Sequence, residues 1–292
     1  MVVVTLLWSI AGVVTRHLDG AKSFEVTFWR SLFNALTLAL ALGFIRGPQL
    51  LHSLRQARWP LWVSGFCWGV MYTAFMVAMT LTTVANVLVS MAFGPLLTAL
   101  LARFCLGHRL RAFNWLAILV GSGGIAWMFG QEAGSGLSLT GSLVALAVPL
   151  AAAANWTVLQ YVNQSATHRA ATPDMMPAVL IGAGLSALAT FPLALPFSAT
   201  PRDIGLLAML GTVQLAIPCL LLVRVSRVLA APEIALLGLL EVVFGVALAW
   251  IGANEQPSPA ALAGGGLVLA ALITNELAGR RPASSIRQTD AA

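Results

Sequence analysis

The segment Trp59–Met79, WPLWVSGFCWGVMYTAFMVAM, is 21 residues long and carries no charge. As a helix rising ~1.5 Å per residue it covers the ~30 Å of a bilayer's hydrocarbon core. Its apolar residues run on without alternating with polar ones, which excludes the strand of a membrane barrel. A backbone in lipid must pair its polar groups within the protein, so a helix remains.

Nine stretches of the same kind flank this one, at 1–15, 25–45, 84–104, 113–129, 141–161, 175–195, 204–223, 232–252 and 260–277. The whole chain is 59% hydrophobic and 9% charged, against roughly 25% charged in soluble domains. The reading is an all-α integral membrane protein of ten transmembrane helices. The first stretch opens on Met1-Val2-Val3-Val4 with no basic region and reaches Thr15-Arg16 without a clear cleavage site, so it is read as a span and not a signal peptide.

The ten stretches fall into two groups of five, each passing through the same order of long helix, breaker and arginine-bearing loop. The basic residues are sorted by side. With the N-terminus on side one, that side holds Arg46, Arg55, Arg58, Arg103, Arg109, Arg111, Arg169, Arg224, Arg227, Arg280, Arg281 and Arg287, and the other side holds only Arg16, Lys22 and Arg202. Twelve against three, with Arg30 left inside a span, places both termini in the cytoplasm by the positive-inside rule. The excess of 16 basic over 10 acidic residues therefore reports topology, not nucleic acid.

Five is odd, so the second group enters the membrane from the opposite face, giving an inverted repeat, an arrangement common in transporters. The expected units are 1–130, a periplasmic linker 131–140, a second repeat 141–278 and a cytoplasmic tail 279–292 around a central cavity. Shifting by 147 places Pro95 on Val242 and Leu101-Ala102 on Leu248-Ala249; hydropathy and loop order carry the duplication more than the letters do.

Several short motifs lie on this frame. Leu7-Trp8-Ser9 opens the first span, Arg30 lies early in the second, Thr82 to Pro95 runs to a mid-helix proline, and Leu106-Gly107-His108-Arg109-Leu110 follows. The second half has Leu240-Glu241-Val242 and Asn254-Glu255-Gln256-Pro257. In this order they resemble the drug/metabolite transporter superfamily, in its ten-helix branch with two EamA-type repeats. His108 stands where that family often has Glu, and Val242 where it has Pro. The resemblance implies export of small metabolites from the cytoplasm across a bacterial inner membrane. Amino acids, including aromatic ones, are the expected cargo, with drugs or other metabolites as the alternative.

Depth sorts the nine tryptophans. Trp29, Trp59, Trp62, Trp115, Trp127 and Trp250 fall near span ends, where an amphipathic ring favours the headgroup boundary. Trp8, Trp68 and Trp156 fall near span centres, where an indole N–H must find a partner or face a cavity. Ser9, Tyr72, Asn155 and Gln214 share that depth, and Asn86 and Ser90 share one face of the fourth span. These residues either line a wet substrate site or join helices.

Glu241 lies near the midplane, where an ionised acid costs several kcal/mol unless paired or hydrated. It is read as a proton or substrate-ammonium site, or as a protonated acid bonded to a neighbouring helix. Arg30, five residues inside its span, either snorkels to the interface or holds an anion near the exit. Pro95, Pro149 and Pro218 each remove an intrahelical bond and are candidate kinks or gates. Small residues at Gly65 and Gly69, Gly121-Ser122-Gly123-Gly124 and Gly264-Gly265-Gly266 let helices approach closely.

Cys67, Cys105 and Cys219 show no metal spacing and are read as packing residues. All four histidines are in or beside loops, and H-E-x-x-H, G-x-S-x-G and P-loop patterns are absent from the sequence. An enzyme is therefore not expected, nor a cofactor. The expected partners are a small solute and lipid, with the chain working as a monomer; a non-transporting receptor or scaffold is the remaining alternative.

Overall fold

The computed structural model describes the chain apart from residues 16, 22, 56–57, 83, 108–109, 134–138, 167–172, 254–258 and 280–292, and apart from the side chains of 23, 51–53, 79–80, 84–86, 128–133, 166, 249, 252–253, 276 and 278–279. Among the described residues every regular element is a helix. In chain order they are α1 (Val2–Thr15), α2 (Ser23–Arg46), α3 (Pro48–Arg55), α4 (Trp59–Leu81), α5 (Val84–Met91), α6 (Gly94–Leu106), α7 (Ala112–Ala133) and α8 (Leu139–Ala166). Then follow α9 (Met176–Ala194), α10 (Pro201–Met209), a π-helical segment (Leu210–Ala216), α11 (Ile217–Val225), α12 (Ala231–Gly238), α13 (Leu240–Ala253) and α14 (Pro259–Gly279).

Seven helical stretches are long and apolar enough to cross a membrane, and Val2–Thr15, Ala112–Trp127 and Pro259–Asn275 are shorter apolar helices. Phe44 is 95% exposed and Leu40 74% exposed on α2, as lipid-facing residues should be and as core residues of a soluble protein are not. Trp59, Trp62, Trp127 and Trp250 also point outward.

Helix limits follow local chemistry. Prolines sit in the first turn of α4, α6, α9, α10, α11 and α12, where a missing N–H costs nothing. Thr200 and Asp203 form a capping box at α10, and Gly107, at φ 65°, closes α6 in the left-handed region that glycine tolerates.

Two expected spans are interrupted. The fourth breaks at Ala92-Phe93, because Pro95 cannot donate back to Met91 and the chain tightens into Phe93 N–H to Ser90 O (3.2 Å). The ninth, expected to run unbroken, breaks at Leu239, whose N–H reaches Leu236 O three residues back (3.1 Å). Pro149, in contrast, lies inside a continuous α8 and does not interrupt it. Pro218 begins α11 after the π-helical segment, whose wider turn ends with Ile217 N–H bonded to Thr212 O.

Small residues set the crossings. A Cβ on Gly182 of α9 would lie 2.3 Å from Trp68 Cβ and 2.9 Å from Gly65 O, so α4 and α9 touch backbone to backbone. Gly124 meets Gly264 O in the same way (2.7 Å), joining α7 to α14. Ser186 ties three helices, bonding Ser31 of α2 and Thr73 of α4, each at 2.9 Å.

Candidate functional site

A partly open cavity, about 1080 Å³ of empty space when its mouth is counted, lies between α1, α2, α4, the α5–α6 break, α8, the π-helical segment with α11, and the α12–α13 break. Both interrupted helices turn their breaks toward it, through Met91, Gly94 and Pro95 on one side and Gly238, Leu239 and Glu241 on the other. Trp8, Trp68, Tyr72, Trp156, Gln214, Glu241, Pro95 and Pro149 all line it.

The aromatic wall is one packed group. Trp68 stacks on Tyr72 (centroids 5.6 Å apart) and meets Trp156 edge to face at 5.4 Å and 73°. Tyr72 O–H donates to Cys219 Sγ at 3.2 Å, so Cys219 is a lining residue and not packing alone. Trp68 Nε1 has no hydrogen-bond partner, the arrangement expected of an indole waiting beside a cavity. Gln214, carried by the π-helical segment, donates from Nε2 to Trp8 O (3.1 Å) while its Oε1 stays unpartnered.

Other residues of the same depth turn elsewhere. Asn155 is fully buried and its Oδ1 accepts from Ser64 Oγ at 2.6 Å, so it joins α8 to α4. Ser9 donates to Leu6 O within its own helix at 2.7 Å. Ser90 is buried and, like Pro218, is not among the lining residues. The Asn86 side chain lies outside the described residues, as do His108, Arg109 and Asn254 to Pro257. Glu233 accepts from Ala230 N–H at 3.1 Å and caps α12.

Arg30 corrects the snorkelling expectation. It is 3% exposed, lines the cavity and lies within electrostatic range of Tyr72, Cys219 and Glu241. Gly211 allows this: a Cβ there would come within 2.6 Å of Arg30 O, so only glycine lets the π-helical segment press against α2 at this point.

Residues 1–130 match the EamA-like transporter family. That match, with the seven long apolar helices, indicates a multi-pass membrane protein and implies transport of small solutes. A solved structure titled only as the crystal structure of a protein is 22% identical and superposes with a TM-score of 0.76, covering 97% of this chain and 96% of its own. It shares the fold. No curated protein matches.

The two faces of the bundle differ from its middle. On one, Glu25 accepts from Ser198 N–H, Ser198 Oγ and Ala199 N–H at 2.8 to 3.0 Å, and Asp203 accepts from the N–H groups of Asp19 (2.8 Å) and Gly20 (3.0 Å). On the other, Arg46 pairs with Asp174, and Asn163 donates to Ser226 O at 2.6 Å. The cavity lining reaches Met1, Leu222 and Ile234, within about a turn of the helix ends on the Arg46 face. Toward the Glu25 face it stops at Ala11, Arg30 and Phe75, about one to two turns short.

Proposed function

We propose that the chain is an alternating-access transporter that exports small metabolites, amino acids including aromatic ones foremost, from the cytoplasm across a bacterial inner membrane. Ten spans form two inverted repeats, 1–130 and 141–278, with both termini cytoplasmic. The observation that carries this reading is the aromatic cavity between two broken helices, whose breaks at residues 92 and 239 lie 147 apart (239 − 92), the same shift that aligns the halves. Broken helices meeting at mid-depth are how inverted-repeat transporters build a site.

The packing supports the repeat as well. Exchanging the halves turns α4 on α9 into the α10 and π-helical stretch on α2, and turns α5–α6 on α8 into α12–α13 on α1; both members of each pair are in contact. Three contacts, α2 on α9, α7 on α14 and α6 on α12, map onto themselves. Trp8, Trp68, Tyr72 and Trp156 would hold the cargo's apolar body by stacking or cation–π contact, and Gln214 would bond its polar end.

Counterflow in liposomes holding the purified protein, with labelled tryptophan, phenylalanine, threonine and methionine, tests this. Saturable counterflow that favours the aromatic pair is expected. No counterflow from folded protein would move the assignment to a drug or other metabolite.

A further inference from the structure

We infer that Arg30 is an anion subsite of the cavity, so that the cargo presents a single carboxylate beside an apolar or aromatic body. The inference rests on the transport reading for its meaning but not for its test. Arg30 is 3% exposed and lines the cavity, and its Nε is buried without a hydrogen-bond partner. A guanidinium removed from water with a donor unmade is held at a cost of several kcal/mol, and such groups inside a membrane protein mark ligand or ion sites.

The surroundings narrow the anion. Among the described lining residues Arg30 carries the one cationic side chain and Glu241 the one acidic side chain, and they lie within electrostatic range of each other. A lone guanidinium offers its planar fork to one carboxylate, two N–H donors to two oxygens. A phosphate dianion would bring a second negative charge toward Glu241 with no second cationic side chain in the lining to meet it. Apart from Thr98, Gln214 and Cys219 the rest of the wall is apolar or aromatic: Trp68 and Tyr72 come from α4, and Trp156 from α8. A zwitterion would set its carboxylate on Arg30 and turn its ammonium toward Glu241 or the indole faces.

The backbone at this position is held from the π-helical side. Arg30 leaves α2 where Gly211 lets the π-helical segment sit against its backbone, and Thr37 Oγ1 meets Thr212 Oγ1 at 3.1 Å two helical turns on. The guanidinium is thus anchored from a backbone that two contacts hold against the π-helical segment.

The test uses three probes with one phenyl body: 3-phenylpropionate, 2-phenylethanol and 2-phenylethylamine. Each is titrated against the purified protein by its effect on thermal unfolding, and as a competitor of phenylalanine counterflow in liposomes. In the wild type 3-phenylpropionate should bind about ten-fold or more tightly than 2-phenylethanol, the worth of a charge-assisted pair. Arg30→Gln should bring the two within about three-fold while 2-phenylethanol binding persists, and Arg30→Lys should keep part of the preference. Because the readout is a ratio within each protein, a general loss of stability does not imitate it. Equal binding of the acid and the alcohol by the wild type, or stabilisation by none of the three, overturns the inference. Arg30-dependent carboxylate binding without counterflow would leave the subsite standing and remove the transport reading instead.

Discussion

Asn155 and Trp156 are neighbours on α8, yet one is sealed against Ser64 and the other faces the cavity. The sequence places both at mid-depth and offers both to the cargo, yet Trp156 lines the cavity and Asn155 does not, because successive residues on a helix point ~100° apart. Spans that are apolar all round carry no stripe to say which direction is inward. Of the two readings of Arg30, snorkelling to the interface and holding an anion, the first fails for the same reason: depth near a span end points to the interface while azimuth sends the side chain inside. The distinction predicts opposite phenotypes. Asn155→Ala should lower stability by about 0.6 to 2 kcal/mol, the range for polar bonds between membrane helices, and leave the ranking of transported solutes unchanged. Trp68→Ala and Trp156→Ala should fold yet change counterflow rates or selectivity; unaltered rates in both would remove the aromatic wall from the site. Glu241→Gln, facing Arg30 across the cavity, should flatten any pH dependence of transport, and an unchanged profile would exclude it as the proton site.

The helices show which local signals a sequence carries. Pro95 announced its break, because a proline removes one bond and clashes with the preceding turn. The break at Leu239 has no proline to mark it, whereas Pro218, a candidate kink in the sequence, stands just past the π-helical segment that carries Gln214. The glycine-rich crossings were legible in part: Gly65 and Gly69 were picked out as contact points, but their partner on α9, Gly182, was not. This crossing bears on Trp68, since a Cβ on Gly182 would lie 2.3 Å from the Trp68 Cβ. Gly182→Ala should therefore push α4 from α9 and destabilise the protein by about 1–3 kcal/mol, the usual cost of overpacking. Gly184→Ala, two residues on with nothing within 4 Å of an added Cβ, should be neutral or slightly stabilising. Thermal unfolding of the two variants side by side separates a steric effect from the general helix preference for alanine. Equal melting points would show that the α4–α9 contact is looser than drawn.

At the scale of the whole molecule the cavity is lopsided. It nears the face carrying Met1, Arg46 and Asp174, and stops short of the face where Glu25 and Asp203 clamp the chain between Asp19 and Thr200. The Glu25 clamp joins α2 to the segment after α9, the Asp203 clamp joins α10 to the segment before α2, and α2 packs along α9, an arrangement consistent with α2 and α9 as a fixed spine and with opening at the broken helices on the cavity's flank. The sorting of charges in the sequence, twelve basic residues against three, already assigned the Met1 face to the cytoplasm. Together these predict direction-dependent access. In a background lacking Cys67, Cys105 and Cys219, a cysteine placed at Trp68 or Trp156 should react with a membrane-impermeant thiol reagent added from the Met1 side and react more slowly from the Glu25 side. Weakening the acidic clamp with Glu25→Gln and Asp203→Asn removes both charges and leaves one carbonyl oxygen per side chain to serve the five N–H groups at Asp19, Gly20, Ser198, Ala199 and Thr200. If that clamp is part of a static spine, the ratio of the two labelling rates should hold while stability falls. If it is a gate, labelling from the Glu25 side should rise several-fold, and the fixed-spine account would have to give way to one in which α2 itself moves.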